Sequence, residues 1–365
     1  MKAAVMRANH APLVIEEVRI DDPGAGEVLV KTAASGICHS DLTAIEGGLP
    51  LPTPCILGHE PAGIVEAVGP GVTDFAPGDH VVGCLSASCG GCKFCAAGRP
   101  YLCPSQFEGR PGTEPWRLTA ANGDLSLQFA NLSSFAEWML CPQRSLVKIR
   151  DDMPLDRAAL LGCGVMTGLG AVLNTVRVPA GASVVVVGCG GVGLAAVQGA
   201  RIIGAGTIIA VDTQAWKFDL ARRFGATACV DATGDDPIRA VHDLTAGGAD
   251  FVFECIGLVP TVQQAVAMTG RGGTTVLVGV LPFGQTVPIA TTDLTLNEKR
   301  IAGSYMGSNR FRFDIPKYVD FYLDGRLRLD EMISSRLALD QVNEAFDRMR
   351  KGEAARQVIV FPRGR

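Results

Sequence analysis

The hydrophobic pattern of this chain changes character twice. Up to about residue 160, short apolar alternations such as VLVKTAASG, GIVEAVGPGV and FAPGDHVVG are broken by glycine and proline. That is the pattern of half-buried strands joined by tight turns, and it predicts a barrel-like, mostly antiparallel domain. Within it, Pro104 to Ser134 is polar, aromatic-sprinkled and weakly patterned. It is too long for a simple loop and is expected to be an ordered excursion with a function or an interface. From Ala182 the run SVVVVG reads as a fully buried parallel strand, followed by VGLAAVQGARIIGA at helical spacing and the strand TIIAVD. QAWKFDLARRFGA (helix), ACVD (strand), DPIRAVHDLTAG (helix), DFVFECIG (strand), TVQQAVAMTG (helix) and GTTVLVGV (strand) continue the alternation. Strand alternating with helix predicts an α/β doubly wound parallel sheet. After about residue 306 the helical segments IPKYVDFYLDG and ALDQVNEAFDRMRKG lead to a last strand, RQVIVF.

Composition narrows the class. The 365 residues allow one large or two ordinary domains, and 47% hydrophobic with 19% charged residues is the balance of a folded soluble protein. A net charge of −4, without basic runs, argues against nucleic acid as a partner. The first residues lack a signal-peptide core and the apolar stretches are too short to span a bilayer, so a cytoplasmic protein with no membrane partner is expected.

The 12 cysteines then read better as metal ligands and reduced core thiols than as disulfides. Cys89, Cys92, Cys95 and Cys103 form C-x2-C-x2-C-x7-C in SCGGCKFCAAGRPYLC, the closely spaced thiolate set of a closed, structural zinc site. Cys38 in GICHSD, His59 in GHE and Cys163 in GCG form a second, open Cys2His set. Three protein ligands leave one zinc position for water or substrate. Their wide separation leaves open a plainer alternative, with His59 a hydrogen-bonded loop histidine and Cys38 a buried thiol.

GCGGVG at 188–193 follows an apolar strand and opens a helical pattern, the context a dinucleotide-binding G-x-G-x-x-G requires. Gly188 serves the tight turn, Gly190 the approach of the pyrophosphate, and Gly193 the packing of helix on strand. Asp212 ends the next strand, where a carboxylate accepts from the adenosine ribose hydroxyls and repels a 2′-phosphate, so NAD is expected over NADP.

GICHSD, GHE, the four-cysteine lobe, GCG, GCGGVG, VD and FECIG occur in order over essentially the whole chain. Together they resemble the zinc-dependent medium-chain alcohol dehydrogenases of the medium-chain dehydrogenase/reductase superfamily. The resemblance implies a GroES-like β-barrel catalytic domain from residues 1–164 and 307–365, with a structural zinc lobe at about 88–104, and an inserted Rossmann domain at 165–306. It implies two Zn2+ per subunit: Cys38, His59 and Cys163 around the catalytic ion, and Cys89, Cys92, Cys95 and Cys103 around the structural one. Glu60 matches a glutamate beside the catalytic ion. Asp41 would fix the His59 tautomer. Ser40 matches the hydroxyl that takes the alcohol proton, and His39 a phosphate contact. The implied NAD site comprises His39, Gly188, Gly190, Gly191, Val192, Gly193, Asp212, Lys217, Val280 and Arg356. For Asp41 and Glu60 alone, solvated loop carboxylates are the alternative. Thr43 stands where many members carry the last histidine of a proton relay.

The implied reaction is reversible hydride transfer between a primary alcohol and NAD. Leu49, Leu85, Leu102, Val280 and Tyr305 are candidate pocket residues, and an apolar pocket would take aromatic, allylic or medium aliphatic alcohols. A thiol-adduct formaldehyde dehydrogenase is the alternative; it needs a cationic rim, for which Arg110 and Arg117 are candidates. TTDLTLNEKRIAGS also resembles bacterial members that hold NAD permanently. A non-catalytic structural role and a zinc-free reductase both sit poorly with seven intact ligands. VLVGVLPFGQTVPIA resembles the region by which family members pair, so a homodimer is expected, with a tetramer as runner-up.

Overall fold

The computed structural model describes residues 1–108, 117–120, 123 and 125–362. The chain divides into two compact units, one of Met1–Cys163, Arg310–Gly325 and Met332–Arg365, the other of Gly164–Asn309 and Arg326–Glu331.

In the first unit the strands Lys2–Met6, Val14–Ile20, Leu118–Ala120, Leu125–Gln128 and Cys55–Ile56 close into a barrel in that order. Two of these strands come from the weakly patterned excursion. Three or four residues are too few to display an alternation, so the excursion is partly barrel wall. A second sheet runs Leu146–Lys148, His80–Gly83, Glu60–Val68, Glu27–Ile37, Arg356–Val360, Ile333–Leu337. Trp138–Pro142 pairs with the first half of Glu27–Ile37, and the C-terminal Arg356–Val360 pairs antiparallel with its second half. Alternate residues of these strands, including Val28, Val30, Val65, Val81 and Met139, form one apolar cluster. Ile37, Leu57, Phe135 and Phe346 anchor another.

The second unit is a six-stranded parallel sheet in the order Ala228–Asp231, Thr207–Asp212, Ser183–Val187, Ala249–Glu254, Thr269–Leu277, Arg300–Gly303. The chain starts in the middle, winds outward one way, then returns and winds out the other way. Neighbouring strands Ser183–Val187 and Ala249–Glu254 therefore flank the switch point, where such sheets bind nucleotides at their carboxyl ends. Val184, Val185 and Val186 are completely buried, as a strand covered on both faces requires. The helix Gly191–Ile202 follows the central strand directly. The strand read over DFVFECIG stops at Glu254, so Cys255–Gly257 form a loop at the sheet's carboxyl edge. Among the described residues no single helix is long and apolar enough to cross a membrane.

Candidate active site

Three separated loops of the first unit deliver one cluster. Cys38 follows the strand Glu27–Ile37 and caps the short helix His39–Ile45; His59 precedes, and Glu60 opens, the strand Glu60–Val68; Cys163 follows the turn Ala159–Gly162. Ligand atoms of Cys38, His59, Glu60 and Cys163 all lie within 4.8 Å of one another, and all four residues are buried.

Asp41 orients this set. It is fully buried, and its carboxylate accepts from the Cys38 N–H (3.1 Å) and the Gly58 N–H (3.0 Å). The same carboxylate lies 3.1 Å from His59 Nδ1. Asp41 and Glu60 are therefore not solvated loop carboxylates. With Nδ1–H donating to Asp41, Nε2 is the ring nitrogen left to a metal that displaces its proton, and it is buried without a hydrogen-bond partner. An orphaned imidazole nitrogen facing two thiols is the arrangement a zinc ion fits. In the metal-free protein, burial pulls the His59 pKa down, but Asp41 and Cys38 outweigh it and raise it to about 10. Hydrogen bonding to Cys163 holds Cys38 well below the usual thiol value and pushes Cys163 well above it, so one thiolate is shared by the pair.

Behind the set, Glu60 pairs with Arg356, which is only 6% exposed. Arg356 reaches this place from the C-terminal strand, so the guanidinium predicted for a pyrophosphate is committed to Glu60 in this arrangement. Gly36 makes the room: a Cβ there would lie 2.1 Å from Glu60 Oε2. Ser40 Oγ is 3.8 Å from Cys38 Sγ, and His39 is exposed. Thr43 Oγ1 donates to the His39 carbonyl (2.9 Å), so its hydroxyl proton is spent on its own helix. Phe129, which no motif pointed to, packs edge-on against His59 with ring centroids 5.3 Å apart. It is held by a loop in which Ala130, Asn131 and Ser133 all have positive φ, a concentration of backbone strain beside a functional residue.

Cys89, Cys92, Cys95 and Cys103 also lie within 4.8 Å of one another. Zn–S bonds of about 2.3 Å place tetrahedral sulfurs about 3.8 Å apart, so this lobe fits a closed zinc site. N–H groups of Gly91 and Cys92 lower the Cys89 thiol to about 7, which favours the thiolate a metal needs.

In the second unit Gly188 has φ +93°, and a Cβ on Gly193 would lie 1.8 Å from the Gly188 carbonyl oxygen. A Cβ on Gly190, at the helix N-cap, would meet nothing within 4 Å. The loop is thus pinched from below and open above, a cradle that fits a pyrophosphate on a helix N-terminus. Gly191 and Val192 form the first turn. Asp212 accepts from Cys189 N (2.7 Å) and Gln214 N (2.9 Å), and Lys217 Nζ lies 3.0 Å from both its oxygens. Asp212 therefore ties the glycine loop to the end of its own strand. Val280 and Tyr305 are exposed on this unit, whereas Leu49, Leu85 and Leu102 are half-buried in the other.

Arg117 does not form a rim. It is 2% exposed, its Nε donates to Glu27 and its Nη1 to Gln128 (2.5 and 2.9 Å), which makes it a buried strut of the barrel. Arg110 lies outside the described residues.

Two family models match the chain: an alcohol dehydrogenase GroES-like domain over residues 24–151 and a zinc-binding dehydrogenase over 191–324. An alcohol dehydrogenase class-3 of Drosophila melanogaster is 43% identical, covering 99% of this chain and 97% of that protein. An S-(hydroxymethyl)glutathione dehydrogenase of Escherichia coli is 42% identical, covering 99% of both. The crystal structure of benzyl alcohol dehydrogenase from Acinetobacter calcoaceticus superposes with a TM-score of 0.92 at 35% identity over 99% of each chain. With its two zinc-ligand sets and its dinucleotide loop, the chain belongs to the zinc-dependent medium-chain alcohol dehydrogenases, enzymes whose cofactors are zinc and NAD.

Proposed function

We propose that the chain oxidises the adduct of formaldehyde with a low-molecular-mass thiol, passing hydride to NAD. The observation that carries this reading is full-length identity of 38–43% to relatives named class-3 alcohol dehydrogenase or S-(hydroxymethyl)glutathione dehydrogenase. The adduct is itself a primary alcohol, HO–CH2–S, so the chemistry asked of the site is unchanged. When bound at Cys38, His59 and Cys163, zinc supplies the Lewis acidity that eases loss of the alcohol proton. Ser40, beside Cys38, would relay that proton, taking it on Oγ while its own hydroxyl proton passes on towards the cofactor ribose. Asp41 keeps His59 in the tautomer that presents Nε2, and Glu60, paired with Arg356, places a carboxylate at the edge of the set. Phe129 shields the His59 ring, and the glycine loop, Asp212 and Lys217 hold the cofactor.

A second reading, oxidation of benzyl-type and other primary alcohols, is favoured by one specific observation. Arg117 is buried in an ion pair and supplies no cationic rim for a thiol's carboxylates. The apolar character of Leu49, Leu85, Leu102 and Phe129 fits that substrate class. A homodimer in the cytoplasm, with exchangeable NAD, is part of either reading.

NADH formation by zinc-replete protein separates the readings. The panel comprises formaldehyde plus glutathione, benzyl, allylic and linear alcohols, each with NAD and with NADP. A kcat/KM for the adduct well above that for benzyl alcohol supports the first reading. Turnover of benzyl alcohol with none from the adduct moves the second to first place. Activity only after an artificial hydride acceptor is added would contradict exchangeable NAD.

A further inference from the structure

The parallel sheet of the second unit also carries a cavity at its other end. The dinucleotide loop and Asp212 occupy the carboxyl ends of the strands. At the amino ends lies a pocket of about 920 Å3, open to solvent, whose wall includes Asp250, Phe251, Arg271, Thr274, Arg300 and Ile301. The five-residue strand Ser183–Val187 separates the two ends by about 16 Å. The volume is within the range of small-molecule sites, roughly 300–1,000 Å3.

The cavity is built by an irregularity in one strand. Ala249 pairs with Thr269 but Phe251 pairs with Thr274, so an advance of two residues on one strand is matched by five on its neighbour. Gly270, Arg271, Gly272 and Gly273 therefore lie opposite the single residue Asp250. Gly272 has φ +72°, and a Cβ on Gly273 would lie 2.7 Å from the Ala249 carbonyl oxygen, so the bulge needs its glycines. What it projects is Arg271. Arg300 opens the adjacent edge strand. Both arginines are exposed, and neither has an ion-pair or hydrogen-bond partner among the described residues. Asp250 is the acidic residue of the wall, and its Oδ2 is taken by the Ser183 N–H (2.8 Å) and Oγ–H (2.7 Å). Two unpaired guanidiniums against one hydrogen-bonded carboxylate leave the cavity net positive. Guanidinium groups bind phosphate oxygens through paired N–H donors.

We propose that this cavity is a second ligand site, which binds a small polyanion of the polyphosphate or phosphate-ester class. It is separate from the dinucleotide site and independent of the substrate reading above.

The test is calorimetric titration of the NAD-saturated protein with inorganic tripolyphosphate, so that the pyrophosphate cradle is already filled. The expected result is about one anion per chain, with affinity at least about tenfold weaker in the Arg271→Ala/Arg300→Ala variant. A parallel titration with adenosine triphosphate distinguishes sources. Equal affinity assigns binding to the phosphates alone, and tighter binding assigns the base to the wall at Phe251 and Ile301. No binding at millimolar tripolyphosphate would overturn the proposal. So would binding that NAD abolishes, or affinity unchanged in the double variant. Sedimentation of both proteins closes the remaining route. A changed mass with unchanged anion binding would assign the two arginines to a contact between chains instead.

Discussion

Asp41→Asn removes one charge and almost no volume from the most heavily hydrogen-bonded carboxylate of the catalytic set. The carboxylate serves three donors: Gly58 N–H and His59 Nδ1–H on one oxygen, Cys38 N–H on the other. An asparagine has only one acceptor oxygen. Placed toward His59 and Gly58, it turns its amide N–H against the Cys38 N–H at about the same 3.1 Å separation. Turned the other way, it loses two bonds. Either choice forfeits a charge-assisted bond to a fully buried imidazole, about 1.5–3 kcal/mol. That matches the 10–100-fold loss of metal affinity typical when a partner of a ligating histidine is removed. Zinc transfer to a chromophoric chelator measures it, with the four-cysteine lobe as internal control, since Asp41 does not touch that lobe. The expected outcome is that half of the zinc is extracted at about 10–100-fold lower chelator concentration and the other half as in the parent. Unchanged extraction of both ions, or selective loss of the lobe ion, would refute the role given to Asp41.

Other outcomes follow from the same geometry. In the metal-free protein His59 is held protonated up to about 10 and Cys163 is pushed up, while Cys38 is already ionised. Zinc uptake near pH 7.5 should therefore release about two protons per catalytic site, and zinc affinity should rise with pH; calorimetry in two buffers of different ionisation enthalpy counts them, and a count near zero contradicts the assignment. Asp212→Ala frees Lys217 and deletes the acceptor for Cys189 N–H and Gln214 N–H, so KM for NAD should rise about tenfold or more while NADP becomes a usable acceptor. An unchanged NAD to NADP ratio of kcat/KM would count against Asp212 as the discriminating group. Arg117→Met leaves Glu27 charged and buried, which should cost about 3–5 kcal/mol in denaturant unfolding. The ratio of adduct to benzyl alcohol turnover should stay as in the parent, and a selective loss of adduct activity would restore Arg117 to the substrate rim.

What could be read from the sequence depended on whether the chemistry was local. The four-cysteine lobe spans 15 positions, so its spacing alone identified it. The glycine loop was legible because turn, strand and helix signals were contiguous. Cys38, His59 and Cys163 lie far apart in the chain, so their grouping into one open set rested on residue type and on the resemblance, and spacing added little. Asp41 and Glu60, ambiguous as letters, are interior groups because the loops around them close over. The resemblance assigned Arg356 to a phosphate; its pairing with Glu60, through the gap left by Gly36, could not be read from positions 296 residues apart. Arg117 looked like a surface cation because its partner Glu27 is 90 residues away. Phe129 carried no signal, since its place beside His59 depends on a loop of positive-φ residues that favour no sequence motif.

The pairing of Arg356–Val360 with Ala34–Ile37 sets an order of assembly. The strand Glu27–Ile37 leaves the ribosome about 320 residues before its partner Arg356–Val360, so half of one edge stays unpaired for on the order of 20–60 s at typical elongation rates. Within that interval the parallel-sheet unit, whose strands are contiguous in sequence, is complete and free to fold. The first unit must wait with an open strand edge, the kind of surface that recruits other chains. A message that stops before the codon for Arg356 would therefore damage both the metal-ligand set and the sheet of the first unit. It would remove the arginine that neutralises Glu60 and leave the oldest part of the chain without its last partner.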